Sequence, residues 1–404
     1  MRPFTRSSPL RARIGAEFHK LWGASAVSNL GDGLNLVAGP LLVATLTADP
    51  VLVAGAGLVQ QLPWLLLALV GGAVADRVNR QRLFIVVNLC RAAVLAALAL
   101  SVATGTVTVL PLYAVLFLMG VGEVFADSAS AGRLVAVVHP DLLPVANARL
   151  GATFTVINMW MAKPIGAWLF TLGAALPFGI NAATMLLAAL IVFWMRPYSV
   201  TPGDPKPLLR EIREGVVWLW RHRALRTLNV TMAIMQVPFA AAFATQVLYA
   251  TEHLGLSAFQ YGLLLTAHAL GALLGTACGP WLQARFRTST LLRAGLLAET
   301  VTHLVLALTT SGWVAAATLT LFAVHAMVWG NVVATTWQRS VPDRLQGRVG
   351  GAYRLADMAG VALGTLLGGY LARWFGLAGP YWIAFAAMAL IAIFAWRPVN
   401  LCDS

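Results

Sequence analysis

The sequence predicts an all-α membrane protein with twelve transmembrane helices in two related six-helix halves. Three observations lead there. Hydrophobic residues make up 59% of the chain against 11% charged, and mean hydropathy is +0.77, which a soluble globular domain does not reach. Apolar runs of about 20 residues, enough for a helix to cross the hydrocarbon core, recur from end to end. Lys and Arg collect in alternate connections between those runs.

Taken in order, the spans fall near 22–46, 50–74, 82–103, 108–131, 146–171, 175–195, 226–249, 258–281, 290–309, 313–336, 350–372 and 379–396. Basic residues occupy the N-terminal segment, the turn after span 2, the ends around Arg133 and Arg149, the central linker, Arg285 to Arg293, Arg339 to Arg354, and Arg397. The intervening loops, such as Ala103 to Val107 and Thr309 to Trp313, carry almost none, with Arg373 the exception. That alternation is the positive-inside pattern, so both termini are expected in the cytoplasm and the number of spans is even. The formal charge of +13 therefore reports topology, and no nucleic-acid partner is expected. Cys90, Cys278 and Cys402 form neither a disulfide framework nor a zinc spacing, so no metal or other cofactor is expected. The basic, polar Met1 to Lys20 and the spanning length of the first apolar run point to direct insertion into a cytoplasmic membrane without signal cleavage.

The one long polar interruption divides the chain into 1–195, a linker at 196–225 and 226–404. The linker opens with Pro197, Pro202, Gly203, Pro205 and Pro207. From Leu208 to Arg221 its apolar residues fall at helical spacing opposite arginines, which predicts an amphipathic helix on the inner membrane face. A shift of 207 positions places Gly72 on Gly279, Arg80 on Arg287, Gly55 on Gly262 and Asp76 on Gln283 without a gap. Matched loops and matched glycines point to a duplicated six-helix unit with a pathway between its copies.

The turn between spans 2 and 3 reads Gly71-Gly72-Ala73-Val74-Ala75-Asp76-Arg77-Val78-Asn79-Arg80. It resembles the signature loop of the major facilitator superfamily, G-x-x-x-D-R-x-x-x-R, through Gly72, Asp76, Arg77 and Arg80, with Asn79 where the family usually has glycine. Ser28 to Leu34 in span 1, Gly120-Val121-Gly122-Glu123 in span 4, and Gln338 to Pro342 with Gly347-Arg348-Val349 near span 11 are similar to bacterial efflux members, exporters of siderophores, macrolides and other drug-like metabolites. The resemblance implies the major facilitator fold and secondary transport by alternating access. The cargo is a small amphipathic molecule exchanged for protons, carried by a protein that works as a monomer in the lipid bilayer. It also implies that the Gly72 to Arg80 loop, with Asp76 central, acts as a conformational lock pairing with the opposite half near Arg348 to Asp357.

Ionisable side chains inside apolar spans are the informative ones, because each costs at least about 2.5 kcal/mol at a helix centre unless it meets a partner or water. Asp32, between Gly31 and Gly33, is a candidate proton-coupling carboxylate; the alternative is a fixed ion pair with Lys163 or Arg91. Glu123 and Asp127 project from one helix face, and two close carboxylates in low dielectric tend to share a proton. Asp127 has the alternative of pairing with Arg133 at the helix end. Lys163 precedes Pro164 and Gly166 where antiporters of the superfamily typically have G-P-x-x-G-G, so the proline kink is kept while the glycines are partly lost. Lys163 either binds an anionic substrate group or forms a structural pair with Asp32 or Glu123. Arg91 is expected about two turns from the cytoplasmic end, either snorkelling to the interface or bracing the loop of Asp76, and Glu299 and His303 are read as a local structural pair. Asn29, Asn35, Gln61, Trp160, Gln236 and Asn331 are the candidate cavity-lining groups. Neither a G-x-x-x-x-G-K-[ST] phosphate loop nor a G-x-S-x-G or H-E-x-x-H element occurs, so ATP-driven pumping and enzymatic chemistry are not expected. Uptake by symport and a non-transporting sensor or lipid translocator are the rival readings.

Overall fold

A computed structural model of the chain describes residues 15–75, 77–139, 142–196, 216–341 and 346–396. Helical runs cover each of the twelve expected segments. They are α1 (Ala16–Leu46), α2 (Pro50–Ala75), α3 (Arg80–Ala103), α4 (Val109–Val137), α5 (Leu143–Thr153, a π-helical stretch Phe154–Met161, and Ala162–Leu172) and α6 (Leu176–Phe193). The second half comprises α7 (Arg223–Phe243, then Gln246–Leu248 and a π-turn at Tyr249–His253), α8 (Ala258–Arg285), α9 (Thr288–Leu308), α10 (Gly312–Ser340), α11 (Gln346–Phe375) and α12 (Gly379–Ala395). Among the described residues, seven helices are by themselves long and apolar enough to cross a membrane, and nine if two bent pairs are each counted as one span. Of the expected linker helix only 216–221 lies in the described residues, and it is helical. Asp76 lies outside the described residues.

Local chemistry explains where the helices begin and end. Asn79 takes an extended backbone, φ −65° and ψ 108°, and its side chain accepts the Arg82 N–H, so it is the N-cap of α3. The asparagine in the signature turn thus satisfies a free helix N–H and has no need of a left-handed conformation. Ser257 and Gln260 form a reciprocal capping box that starts α8. Gly376, with φ +77°, lets the chain turn by 120° between α11 and α12, a backbone that a side chain would strain.

Packing follows one rule in both halves. In the first, α1 packs on α5 and α6, α3 on α4 and α6, and α2 on α4; in the second, α7 packs on α11 and α12, α9 on α10 and α12, and α8 on α10. Adding six to each helix number converts one set into the other, which makes the fold two pseudo-symmetric six-helix bundles. Between bundles, α2 meets α11 and α5 meets α8.

Those two seams are closed at the end away from the basic loops. A single apolar cluster joins Leu41, Val43 and Val53 of the first bundle to Val247, Leu248 and Tyr261 of the second. A Cβ on Gly369 of α11 would lie 2.8 Å from Val51 Cα and 3.0 Å from the Pro50 carbonyl, so a glycine is needed for this approach. Arg373 reaches Asp49 at 3.7 Å across the same seam. Two further apolar clusters of described residues stay within their own bundles, Phe18, Leu21, Phe84 and Val192 in one, Leu219, Leu292, Trp329 and Met388 in the other. Among the described residues, the apolar cluster that joins the bundles lies at the end away from the basic loops.

Candidate functional site

The first bundle holds a charged centre at mid-depth. Gly31 and Gly33 lie against α6 and α5: a Cβ at Gly31 would strike Asn181 and Thr184, and one at Gly33 would sit 2.7 Å from the Asn158 carbonyl. This close contact on both flanks fixes α1 and leaves Asp32 directed between its neighbours. There it forms an ion pair with Arg91 of α3, whose side chain is 3% exposed against 13% for Asp32. Arg91 fits because Gly122 of α4 has no side chain; a Cβ there would lie 2.6 Å from the arginine's Cγ and Cδ. Arg91 is thus buried in the bundle, and the expectation that it snorkels or braces the signature loop is corrected. A membrane-depth cation keeps its charge by meeting a carboxylate, and this one also contacts Asn88 at 3.4 Å.

Asp32, Arg91 and Glu123 line one cavity of about 140 Å³ together with Asn35, Gln60, Gln61 and Trp64. Glu123 is within hydrogen-bonding reach of the Trp64 indole. Asp127, one turn further on α4, is exposed to the open side of the bundle and shares the charge environment of Asp32 and Arg91. Its expected partner is occupied elsewhere. Arg133 donates to the Arg196 carbonyl at 2.8 Å and to Gln81 at 3.3 Å, where with Gln81 it caps the carbonyl end of α6.

Gln60, Gln61 and Leu36 also line a second cavity, of about 250 Å³, formed between the bundles with Phe239, Phe243, Gln246, Tyr261 and Thr365. Phe239 in turn belongs to a third, also about 250 Å³, inside the second bundle. Its walls are Met232, Met235, Met327, Phe322 and Trp329, with Gln236, His268, Glu299 and His325 as the polar groups. Phe239, Phe243 and Phe322 stack on one another, with centroids 4.7 to 5.7 Å apart. Methionines and stacked aromatics make a polarisable apolar surface that accommodates varied ligand shapes. Shared lining residues thus connect the charged centre to this pocket across the interface of the bundles.

The remaining expected residues divide. Asn35 and Gln61 line cavities, and Gln236 does so while donating to Asp357 of α11. Asn29 donates to the Ser25 carbonyl of its own helix at 2.8 Å, while its own carbonyl accepts from Asn158 at 3.2 Å. Trp160 and Asn331 are half-buried and line none of these three cavities; Asn331 packs beside Gly279. Lys163 is half-buried in α5, which packs on α8, and lies within electrostatic range of His268 of α8. Among the described residues it has no ion-pair partner, so its expected pairing with Asp32 or Glu123 is not formed. Pro164 lies three residues after the end of the π-helical stretch Phe154–Met161, so the wider turns sit just before the hydrogen bond that proline cannot donate. Gly166 lies against the Leu34 backbone, where a Cβ would come within 3.1 Å of its carbonyl.

At the basic end, Gly72 lies in the last turns of α2, and Arg77 is exposed beyond it. Arg80 donates to the Gly132 carbonyl at 2.8 Å and the Ala75 carbonyl at 3.3 Å, tying α2, α3 and α4 together within one bundle. Glu17 accepts from Lys20 at 2.9 Å and from the Arg196 N–H at 3.0 Å. Burial pushes its carboxyl up, and the bonds to Lys20 and Arg196 with the nearby cations of Lys20 and Arg133 more than offset this, holding it below the ordinary value.

The Asp32–Arg91 pair is one of the two pairings the sequence offered as alternatives, whereas sequence reasoning missed Trp64 and the methionine and phenylalanine lining of the second bundle. Gly122, one residue before Glu123, was the available signal for Arg91, since a glycine facing a neighbouring helix makes room for a long side chain.

The family profile described as transmembrane secretion effector matches residues 4–402. The multidrug efflux pump Tap of Mycolicibacterium fortuitum is 25% identical over 400 residues, covering 92% of this chain and 93% of that protein. The enterobactin exporter EntS of Citrobacter koseri is 24% identical over 309 residues, 74% of this chain and 72% of that one. In structure, a bacterial homologue of the iron transporter ferroportin in its inward-facing state superposes with a TM-score of 0.74 at 15% identity, covering 96% and 98% of the two chains. A bacterial homologue of the lysosomal transporter Spinster, inward-facing and unoccupied, gives 0.71 at 15% identity with 98% of each chain covered. Both share its fold. A charged centre buried at mid-depth, cavities joined across two six-helix bundles and a profile match over nearly the whole length have one explanation: the chain is a multi-pass membrane transporter of the major facilitator superfamily, in the transmembrane secretion effector family.

Proposed function

We propose that the protein exports small amphipathic molecules in exchange for protons, working as a monomer by alternating access. The observation that carries this reading is the placement of Asp32, Arg91 and Glu123 on a cavity that shares Gln60 and Gln61 with a second cavity between the bundles. A proton that neutralises Asp32 or Glu123 weakens the hold on Arg91, and a cation released in low dielectric must find another partner or reach water. Protonation is thereby linked to how α1, α3 and α4 pack. The methionine and aromatic pocket in the second bundle suits an amphipathic cargo, consistent with relatives that are a multidrug efflux pump and an enterobactin exporter.

With the basic loops in the cytoplasm by the positive-inside pattern, both termini are cytoplasmic, the membrane is the cell inner membrane, and the apolar seam between the bundles lies toward the outer side. The bundles take the boundaries 1–195 and 226–404, joined by the linker at 196–225. In the outward-facing state the Gly72 to Arg80 loop, with Asp76 and Arg77, pairs with the start of α11 and forms the inner lock. The membrane potential adds about 2.3 kcal/mol per charge per 100 mV to such a cycle.

The test uses everted membrane vesicles and a panel of amphipathic fluorescent probes, cationic and anionic. Probe accumulation on acidifying the vesicle interior, abolished in Asp32→Asn, is expected. Full pH-driven transport by Asp32→Asn, or accumulation that ignores the pH gradient for every transported probe, would overturn the reading.

A further inference from the structure

The second bundle contains a buried cluster of titratable groups that the exchange reading above does not use. Glu299 of α9 lies between two imidazoles. Its Oε2 is 3.0 Å from His325 Nε2 on α10, and its Oε1 is 3.5 Å from His303 Nε2 one turn along α9. Glu299 and His303 are buried and His325 is half-buried: the His303 side chain is 0% exposed and His325 13%. His325 and Glu299 form part of the wall of the 250 Å³ pocket. His303 sits behind them against Phe243 of α7 and Tyr381 of α12.

We propose that Glu299, His303 and His325 form a second proton-binding centre, holding one exchangeable proton that enters and leaves by way of His325 and the pocket. The proposal deepens the exchange reading by adding a site in the opposite bundle. Charge balance sets the proton number. With one imidazole protonated the cluster is neutral overall; with none it is a bare carboxylate at membrane depth, and with both it carries an excess cation. The middle state is the one a low-dielectric interior favours, and either imidazole can hold the proton because the carboxylate faces both. Nδ1 of His303 and of His325 has no hydrogen-bond partner among the described residues, so no second contact fixes either tautomer.

The surroundings contribute few other charges. From α8, His268 stacks on Phe322, which also meets His325 edge-on, so Phe322 separates the two imidazoles. Lys163 of α5 lies within electrostatic range of His268. From α12 and α7 come the hydroxyls of Tyr381 and Tyr249, the latter donating to the Leu306 carbonyl. Asp357 of α11 is taken up by Gln236. Among the described residues no three such side chains converge where a metal ion would sit, so protons are the ligand this geometry suits.

The test needs no cargo. Protein with ring-15N histidine is titrated in lipid bilayers from pH 5 to 9 by solid-state NMR, and the signals of the seven histidines are assigned by difference against His303→Gln and His325→Gln. The expected result is that the His303 and His325 signals move together through one shared midpoint, and that Glu299→Gln uncouples them. Should His303→Gln fail to insert, His325→Gln alone assigns its own signal and must displace that of its neighbour. Two imidazoles that keep one protonation state across the range, or that titrate independently with Glu299 present, would overturn the proposal. Such a result beside intact Asp32-dependent export removes only this centre, whereas a shared midpoint beside export insensitive to Asp32 removes only the exchange reading.

Discussion

Asp32 of α1 is bound to Arg91 of α3, and the arginine is the more deeply buried partner. The two residues lie 59 positions apart in sequence, on helices that each carry no other charge at that depth. Removing one member breaks a buried ion pair, which typically costs about 3–5 kcal/mol, while neutralising both together costs far less. Asp32→Asn and Arg91→Met are therefore each expected to lower the thermal unfolding midpoint in detergent, and the double variant to recover most of the loss. Additive single effects would show that the pair contributes no coupling.

Glu17 supplies a pH dependence at the basic end. Its folded carboxyl is held below the ordinary value of 4.5 by Lys20 and the Arg196 N–H. A depressed acid contributes stability that is fully present above the unfolded value and is lost as pH falls through the folded one. Unfolding midpoints of the wild type and Glu17→Gln are thus expected to differ above pH 4.5 and to converge below it. Parallel curves down to the acid limit would mean that the contact of α1 with the end of α6 does not depend on this charge.

The spans were legible because hydrophobic length and charge alternation are local properties, and Asp32 and Glu123 stood out for the same reason. Which cation answers Asp32 was not legible. Arg91 and Lys163 are equally unusual in sequence, and the choice depends on Gly122 opening a space on a third helix. His325 likewise looks like any buried histidine until α9 and α10 bring it to Glu299. Asn79 carried a readable signal as a helix cap, obscured by the resemblance that led to expecting glycine there.

Gly369 of α11 lets α2 approach within backbone contact at the closed end. A side chain there overpacks the seam, at a cost of about 1–3 kcal/mol, which corresponds to roughly a 5- to 150-fold change in population. Gly369→Leu is expected to open this end and draw the basic ends together. Spin labels at Val135 of α4 and Phe286 after α8, both exposed, report the separation once the native cysteines are replaced. A distance distribution identical to that of the parent protein would show that this seam does not set the balance between states.

Lys163 bears on cargo chemistry. It lies on α5 at the contact with α8, within electrostatic range of His268, and among the described residues no carboxylate neutralises it. A cation left without a partner at this depth is satisfied by water or by an anionic group on what passes between the bundles. A hydrogen bond to a charged group contributes about 1.5–3 kcal/mol, roughly 10- to 150-fold in affinity. For a matched pair of amphiphiles, one bearing a carboxylate and the other its methyl ester, Lys163→Met is expected to weaken inhibition of probe export by the acid and leave that by the ester unchanged. His268→Gln, which keeps the lysine, should retain the preference. Equal loss for acid and ester in Lys163→Met would place the lysine in the packing of α5 on α8, with no part in selecting cargo.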